Sequence, residues 1–264
     1  MIDSWDLLHF VLAFAAGSVW IAITSIISEK KGSVKGGILA GIPSTAALSF
    51  LFIGWSQSPN AAVQATNAFP LMISVTCAFP VLYAFFAQRG FRRGISAALV
   101  IWFSVSCAIV LLGLNNFSFS LIAGILVSVA VYYFLVNRLR LESVTGSAKV
   151  YTRMGILERA VGAGSLVLLA VLLSRFGGPI LGGVAAAFPA VYTSTLAILY
   201  KSKGIEFSRA MAKPLVTASL LTVIPFSIGV RYLYPSTGIW IGTLACYALV
   251  APLAVLSYFL MQRG

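Results

Sequence analysis

Two segments of the chain set helix-breaking residues beside residues that can coordinate a solute. The first reads GGILAGIPSTAALS from Gly36, the second GGVAAAFPAVYTST from Gly182. Proline lacks the backbone N–H that a helix needs and clashes with the carbonyl one turn back, so Pro43 and Pro189 each mark a kink or break. In hydrocarbon the carbonyls freed by such a break must be met by protein or by a cavity. Hydroxyl side chains follow both prolines, so carbonyl and hydroxyl oxygens together offer a site for a small solute or an alkali cation. The candidate binding residues are Gly37, Gly41, Pro43, Ser44 and Thr45 in the first segment and Gly183, Pro189, Tyr192, Thr193 and Ser194 in the second. The same residue types also let helices pack closely, which is the competing reading of both segments.

Charged chemistry is sparse. No carboxylate lies deep in an apolar run, and Glu158 with Arg159, one turn into such a run, is the pair placed to gate or couple transport. Its competing reading is an interfacial pair whose long side chains reach the headgroups. His9 is the only histidine, and Cys77, Cys107 and Cys246 stand singly, so neither a metal site nor a disulfide frame has material. There is no HExxH, no Gly-x-Ser-x-Gly and no pair of membrane aspartates, and the expectation is that the chain is not an enzyme and holds no metal or cofactor.

The elements that must position these residues follow from composition. Of 264 residues 60% are apolar and 9% charged, with a mean hydropathy of +0.99. A soluble domain carries about a quarter charged residues, so this is a multi-pass membrane protein. Cutting the chain where charge, Pro/Gly or Asn/Ser clusters interrupt apolar runs gives about nine spans, over 7–28, 37–55, 66–88, 95–113, 118–137, 155–174, 179–200, 213–233 and 238–261. The fold class expected is an all-α polytopic bundle. Alternating the loops between sides puts 16 of the 18 Lys and Arg on one face and leaves only Arg175 and Arg231 on the other. Basic loops stay cytoplasmic, which places the N-terminus outside and the C-terminus inside a plasma membrane. The net charge of +12 is then an anionic-lipid contact and requires no nucleic acid.

The chain also resembles itself. At an offset of 146 residues Gly36-Gly37 meets Gly182-Gly183 and Pro43 meets Pro189 without a gap. AFAAGSVWIA from Ala13 meets AVGAGSLVLLA from Ala160, and Phe79-Pro80 meets Ile224-Pro225, at nearly the same offset. Within one transmembrane domain, 1–264, the expectation is a first repeat over 1–140 and a second over 150–264. The first span and its copy are five crossings apart, so the repeats are inverted, five spans plus four, and the two Pro-broken helices enter from opposite faces.

The stretch GGVAAAFPAVYTSTLAILYKSKGIEFSRAMAKPL, from Gly182 to Leu215, resembles an uncharacterised family of short, four-span bacterial and archaeal membrane proteins of the GlpM type. The resemblance covers mainly the second half. It implies a fused, inverted duplication of a four-span protein and supplies no activity or site residue. The leading expectation is a small transporter of a small solute or monovalent ion, with an alternating-access site between the halves. A channel or lipid scramblase, and a non-transporting assembly factor, are the alternatives. The partners expected are the bilayer with its anionic lipids, the substrate and, as an option, a second copy of the chain as a homodimer.

Overall fold

A computed structural model describes residues 4–41, 43–139 and 153–262, without the side chains of 24–41, 258 and 260–262. Every regular element among them is helical: α1 Ser4–Gly41, α2 Thr45–Ser56, α3 Pro59–Ala65, α4 Phe69–Phe86, α5 Phe91–Leu111, α6 Phe117–Phe134, α7 Arg153–Gly177, α8 Pro179–Ala186, α9 Ala190–Lys203, α10 Ile205–Ala210 and α11 Ala212–Gln262. Seven stretches are long and apolar enough to cross a membrane. One of them, Ile205–Ser257, is 53 residues long, and Gly238 at φ +76° divides it into two arms. A chain rising about 1.5 Å per residue needs both arms to be separate crossings of a 30 Å core. The broken element that ends in α2 brings the bundle to about nine crossings.

The first two expected spans are joined here in one helical course, α1, because nothing between Ser28 and Gly41 forbids helix in the way Pro43 does. That course is not straight. Trp20 packs 6.2 Å from the ring of Tyr247, whose hydroxyl donates to the Pro43 carbonyl at 3.1 Å. Twenty-odd helical residues would carry the chain about 30 Å, so it doubles back between Ile23 and Pro43.

Elements recur at the offset read from the sequence. Shifting α3 by 146 residues lays it on α10, α2 on α9, α4 on the first arm of α11 and α5 on the second. Residues 7–31 of α1 fall on α7. Helix α6 and its short π-helical end, Leu135–Leu139, have no counterpart at this offset among the described residues. It packs on α4, where a Cβ on Gly124 would lie 2.6 Å from the Pro70 carbonyl and where Ser120 accepts the Leu71 amide at 3.0 Å.

α1 and α7 are the most closely packed pair, and they run antiparallel. A Cβ on Gly17 would lie 3.0 Å from the Cα of Gly164, and eleven residues away in opposite senses Asp6 and Arg175 form an ion pair at 3.1 Å. Small residues let these backbones meet, as packing in lipid requires. Inside, α4 is the most enclosed crossing, and Phe69, Met72, Phe79 and Tyr83 pack with Phe50, Phe226 and Tyr234 as the core.

Candidate functional site

The backbone opens at each proline. In the second half Ala187 donates to Gly183 and Val184, Phe188 to Ala185 at 3.0 Å, and Ala190 turns aside to Phe188 at 2.8 Å, while Pro189 sits at ψ 41°. The Ala187 carbonyl, left without a helical donor, accepts the hydroxyl of Thr76 on α4. The same hydroxyl accepts the Trp102 indole N–H of α5 at 2.9 Å. In the first half the Pro43 carbonyl is met by Tyr247. A hydroxyl from a neighbouring helix thus takes one open carbonyl at each break, the compensation lipid demands.

Both breaks open on one cavity of about 60 Å³. Water needs at least about 10–15 Å³ of such space, so the cavity holds a few waters or one small polar group. Pro43, Ser44, Thr45 and Ala46 line one side, with Phe188, Pro189, Val191 and Tyr192 opposite and Ile73, Thr76 and Ser219 between. Four pairs in this wall stand 146 apart in sequence: Pro43 with Pro189, Thr45 with Val191, Ala46 with Tyr192 and Ile73 with Ser219. Among the described residues five hydroxyls face the space and no charged side chain does. Tyr192, buried, donates to Ser219.

Of the expected site residues, Pro43, Ser44, Thr45, Pro189 and Tyr192 are brought together here. Thr193 and Ser194 are not, for their hydroxyls bond back to the Pro189 and Val191 carbonyls of their own helix. Gly183 serves packing, since a Cβ there would overlap the Ala65 carbonyl of α3. Gly37 and Gly41 fall where surroundings lie outside the described residues. Glu158 is exposed on α7, Arg159 half-buried, and neither lines the cavity. Thr76, Ser219, Phe188 and Trp102 were missed by the sequence reading. The offset that aligned the two prolines also sets Thr76 on Thr222 and Ser219 on Ile73, and only the first of these matches in type.

Further polar and charged contacts among the described residues lie at two ends of the bundle. Asp6 and Arg175 lie at one end with Asn67, which accepts Arg231 at 2.7 Å, and with Gln57, which donates to Ser174 at 2.9 Å. His9, Trp55 and Trp240 pack edge-to-face beside them, with ring centres 4.8 and 5.3 Å apart. Arg209 holds the other end, bonding Glu206 and the Ala84 carbonyl near Arg89. Among the described residues no group of His, Cys, Asp and Glu could hold a metal ion.

A polytopic helical membrane bundle with a buried polar centre is the class these features define. Residues 7–115 match a family described as a protein of unknown function, DUF3147. The matched stretch runs from α1 to just beyond α5 and stops short of α6. An uncharacterised family is what the sequence resemblance implied, but the match lies on the first half and not the second, and it does not name the GlpM type. No curated protein and no solved structure matches the chain.

Proposed function

We propose that the chain is a small membrane transporter whose two inverted repeats share a binding site at the two proline breaks. The observation that carries this reading is the single cavity on which Pro43 and Pro189 both open, walled by residues in pairs 146 apart. Broken helices at matching positions of two inverted halves are where transporters of this construction bind substrate, since freed carbonyls supply ligands there. The antiparallel run of α1 and α7 supports inversion. A site without charge selects a small polar solute or a monovalent cation, which carbonyl and hydroxyl oxygens ligate. The halves would alternate by rocking about the α1/α7 contact, with Arg175 and Arg231 on the outer face and the basic loops in the cytoplasm of a plasma membrane. No catalytic step is assigned.

The test is uptake into proteoliposomes of labelled sodium ion and of glycerol, one probe for each solute class the lining fits. Uptake of at least one should saturate and fall tenfold or more in the Pro43→Ala/Pro189→Ala variant at equal incorporation. A conductance that rises linearly with solute would make the protein a channel, and no flux of either kind would make it an assembly factor.

A further inference from the structure

The central cavity has an apolar neighbour. Between α5 and α7, and reaching α8, lies a crevice of about 570 Å³ lined by Trp102, Phe103, Cys107, Leu166, Leu169 and Phe188, among others. Phe188 lines both spaces, and Trp102, which lines the crevice, turns its N–H to Thr76 in the cavity. The Phe188 ring packs edge-on against Trp102 at 5.2 Å and tilted against Phe103 at 5.8 Å. These two aromatic side chains are therefore the partition between a small hydroxyl-lined chamber and a large apolar one.

Comparison of the halves shows that the crevice is not demanded by the fold. The second arm of α11 packs along α1, with Trp20 on Tyr247. At the positions 146 away, Leu166 of α7 lines the crevice, and α5 and α7 pack less closely than α1 and α11 do. Gly162 lies on its wall, and a Cβ there would meet nothing within 4 Å. A larger crevice between α6 and the first arm of α11 shares no residue with the cavity, whereas the α5/α7 crevice shares Phe188 with it.

We propose that cavity and crevice together are the binding site of a single-chain amphiphile, its small, uncharged, hydroxylated head in the cavity and its hydrocarbon chain in the crevice, with Phe188 and Trp102 as the gate between them. Among the described residues no charged side chain lines the cavity, so an anionic head would meet no cation there, whereas the hydroxyls can pair with a hydroxylated head. The room of about 60 Å³ limits the head to a few heavy atoms. The chain enters from the membrane through the α5/α7 opening, and so never crosses water. This assignment rests on the reading of the proline cavity as a binding site and names what binds there.

The experiment uses the full chain in phosphatidylcholine nanodiscs with Trp5, Trp20, Trp55 and Trp240 each changed to Phe, so that Trp102 alone fluoresces. The probe is a dibrominated monoacylglycerol, one chain on an uncharged diol head, whose bromines quench indole at close range. Quenching should saturate, should be competed by unbrominated monoacylglycerol, and should need at least tenfold more probe in a Gly162→Phe variant, whose ring fills the crevice. Dibrominated hexadecane, a chain without a head, should quench without saturation. Linear quenching by the monoacylglycerol, or saturation indifferent to Gly162→Phe, overturns the assignment. Equal saturation by the headless chain also overturns it, because the cavity would play no part. The glycerol and sodium uptake described above is measured in parallel on the unaltered chain. Saturable uptake with linear quenching removes the amphiphile and leaves the transporter, whereas failure of both removes the transporter as well.

Discussion

Thr76→Val is a shape-preserving change at the hinge of the second break. It deletes one hydroxyl that donates to the Ala187 carbonyl and accepts the Trp102 indole N–H at 2.9 Å, in a residue only 3% exposed. Valine replaces threonine with little change of volume, so the loss is polar. A buried donor left without a partner costs about 1–3 kcal/mol, and the orphaned carbonyl adds to it. Hydrogen bonds in membrane proteins average nearer 0.6 kcal/mol, since the unfolded reference also finds partners, so about 1–3 kcal/mol covers both groups. For a chain of this size that is a fall in Tm of roughly 2–4 °C per kcal/mol. The assay is thermal unfolding in nanodiscs of wild type, Thr76→Val, Trp102→Phe and the double variant. Partners in contact should show a coupling energy of about 0.5–3 kcal/mol in this cycle. Strictly additive losses would mean that Thr76 does not tie α4 to α5 and to the break, and the gate would have no fixed post.

Further tests are simpler. Pro43→Ala and Pro189→Ala should each restore a helical hydrogen bond and depress transport far more than expression, while the exposed Pro252→Ala is tolerated, as read from uptake normalised to protein. Gly183→Ala should cost about 1–3 kcal/mol, measured by thermal unfolding, because its methyl meets the Ala65 backbone and not a side chain that can swing away. The ion pair of Asp6 and Arg175 should contribute under about 1 kcal/mol, since the Arg175 side chain is 40% exposed, and Arg175→Gln should shift Tm by only a few degrees.

What was legible in the sequence is what periodicity and special residues encode. Apolar run length marked the crossings, and Pro43 and Pro189 marked the breaks, because proline acts on its own backbone wherever it sits. Their convergence on one cavity was implied only by the repeat offset. Thr76 and Ser219 were out of reach, since a hydroxyl in an apolar helix reads as a packing residue until the helix opposite is known. Thr193 and Ser194 misled for the same cause. They lie about one turn after Pro189, and that turn aims their hydroxyls at the carbonyls of Pro189 and Val191 and leaves Tyr192 to face the cavity. The crevice has no sequence signal at all, as it arises where α5 and α7 pack less closely than the helices at the same offset in the other half.

The inverted relation of the halves is tested most directly at Asn60 on α3 and Glu206 on α10, equivalent positions 146 apart and both exposed. Single cysteines at these two sites, in a chain lacking Cys77, Cys107 and Cys246, are offered a membrane-impermeant maleimide in intact cells and again after permeabilisation. Asn60→Cys should react in intact cells and Glu206→Cys only once the membrane is opened. Labelling of both from the same side would contradict the inverted repeat and the shared site built on it.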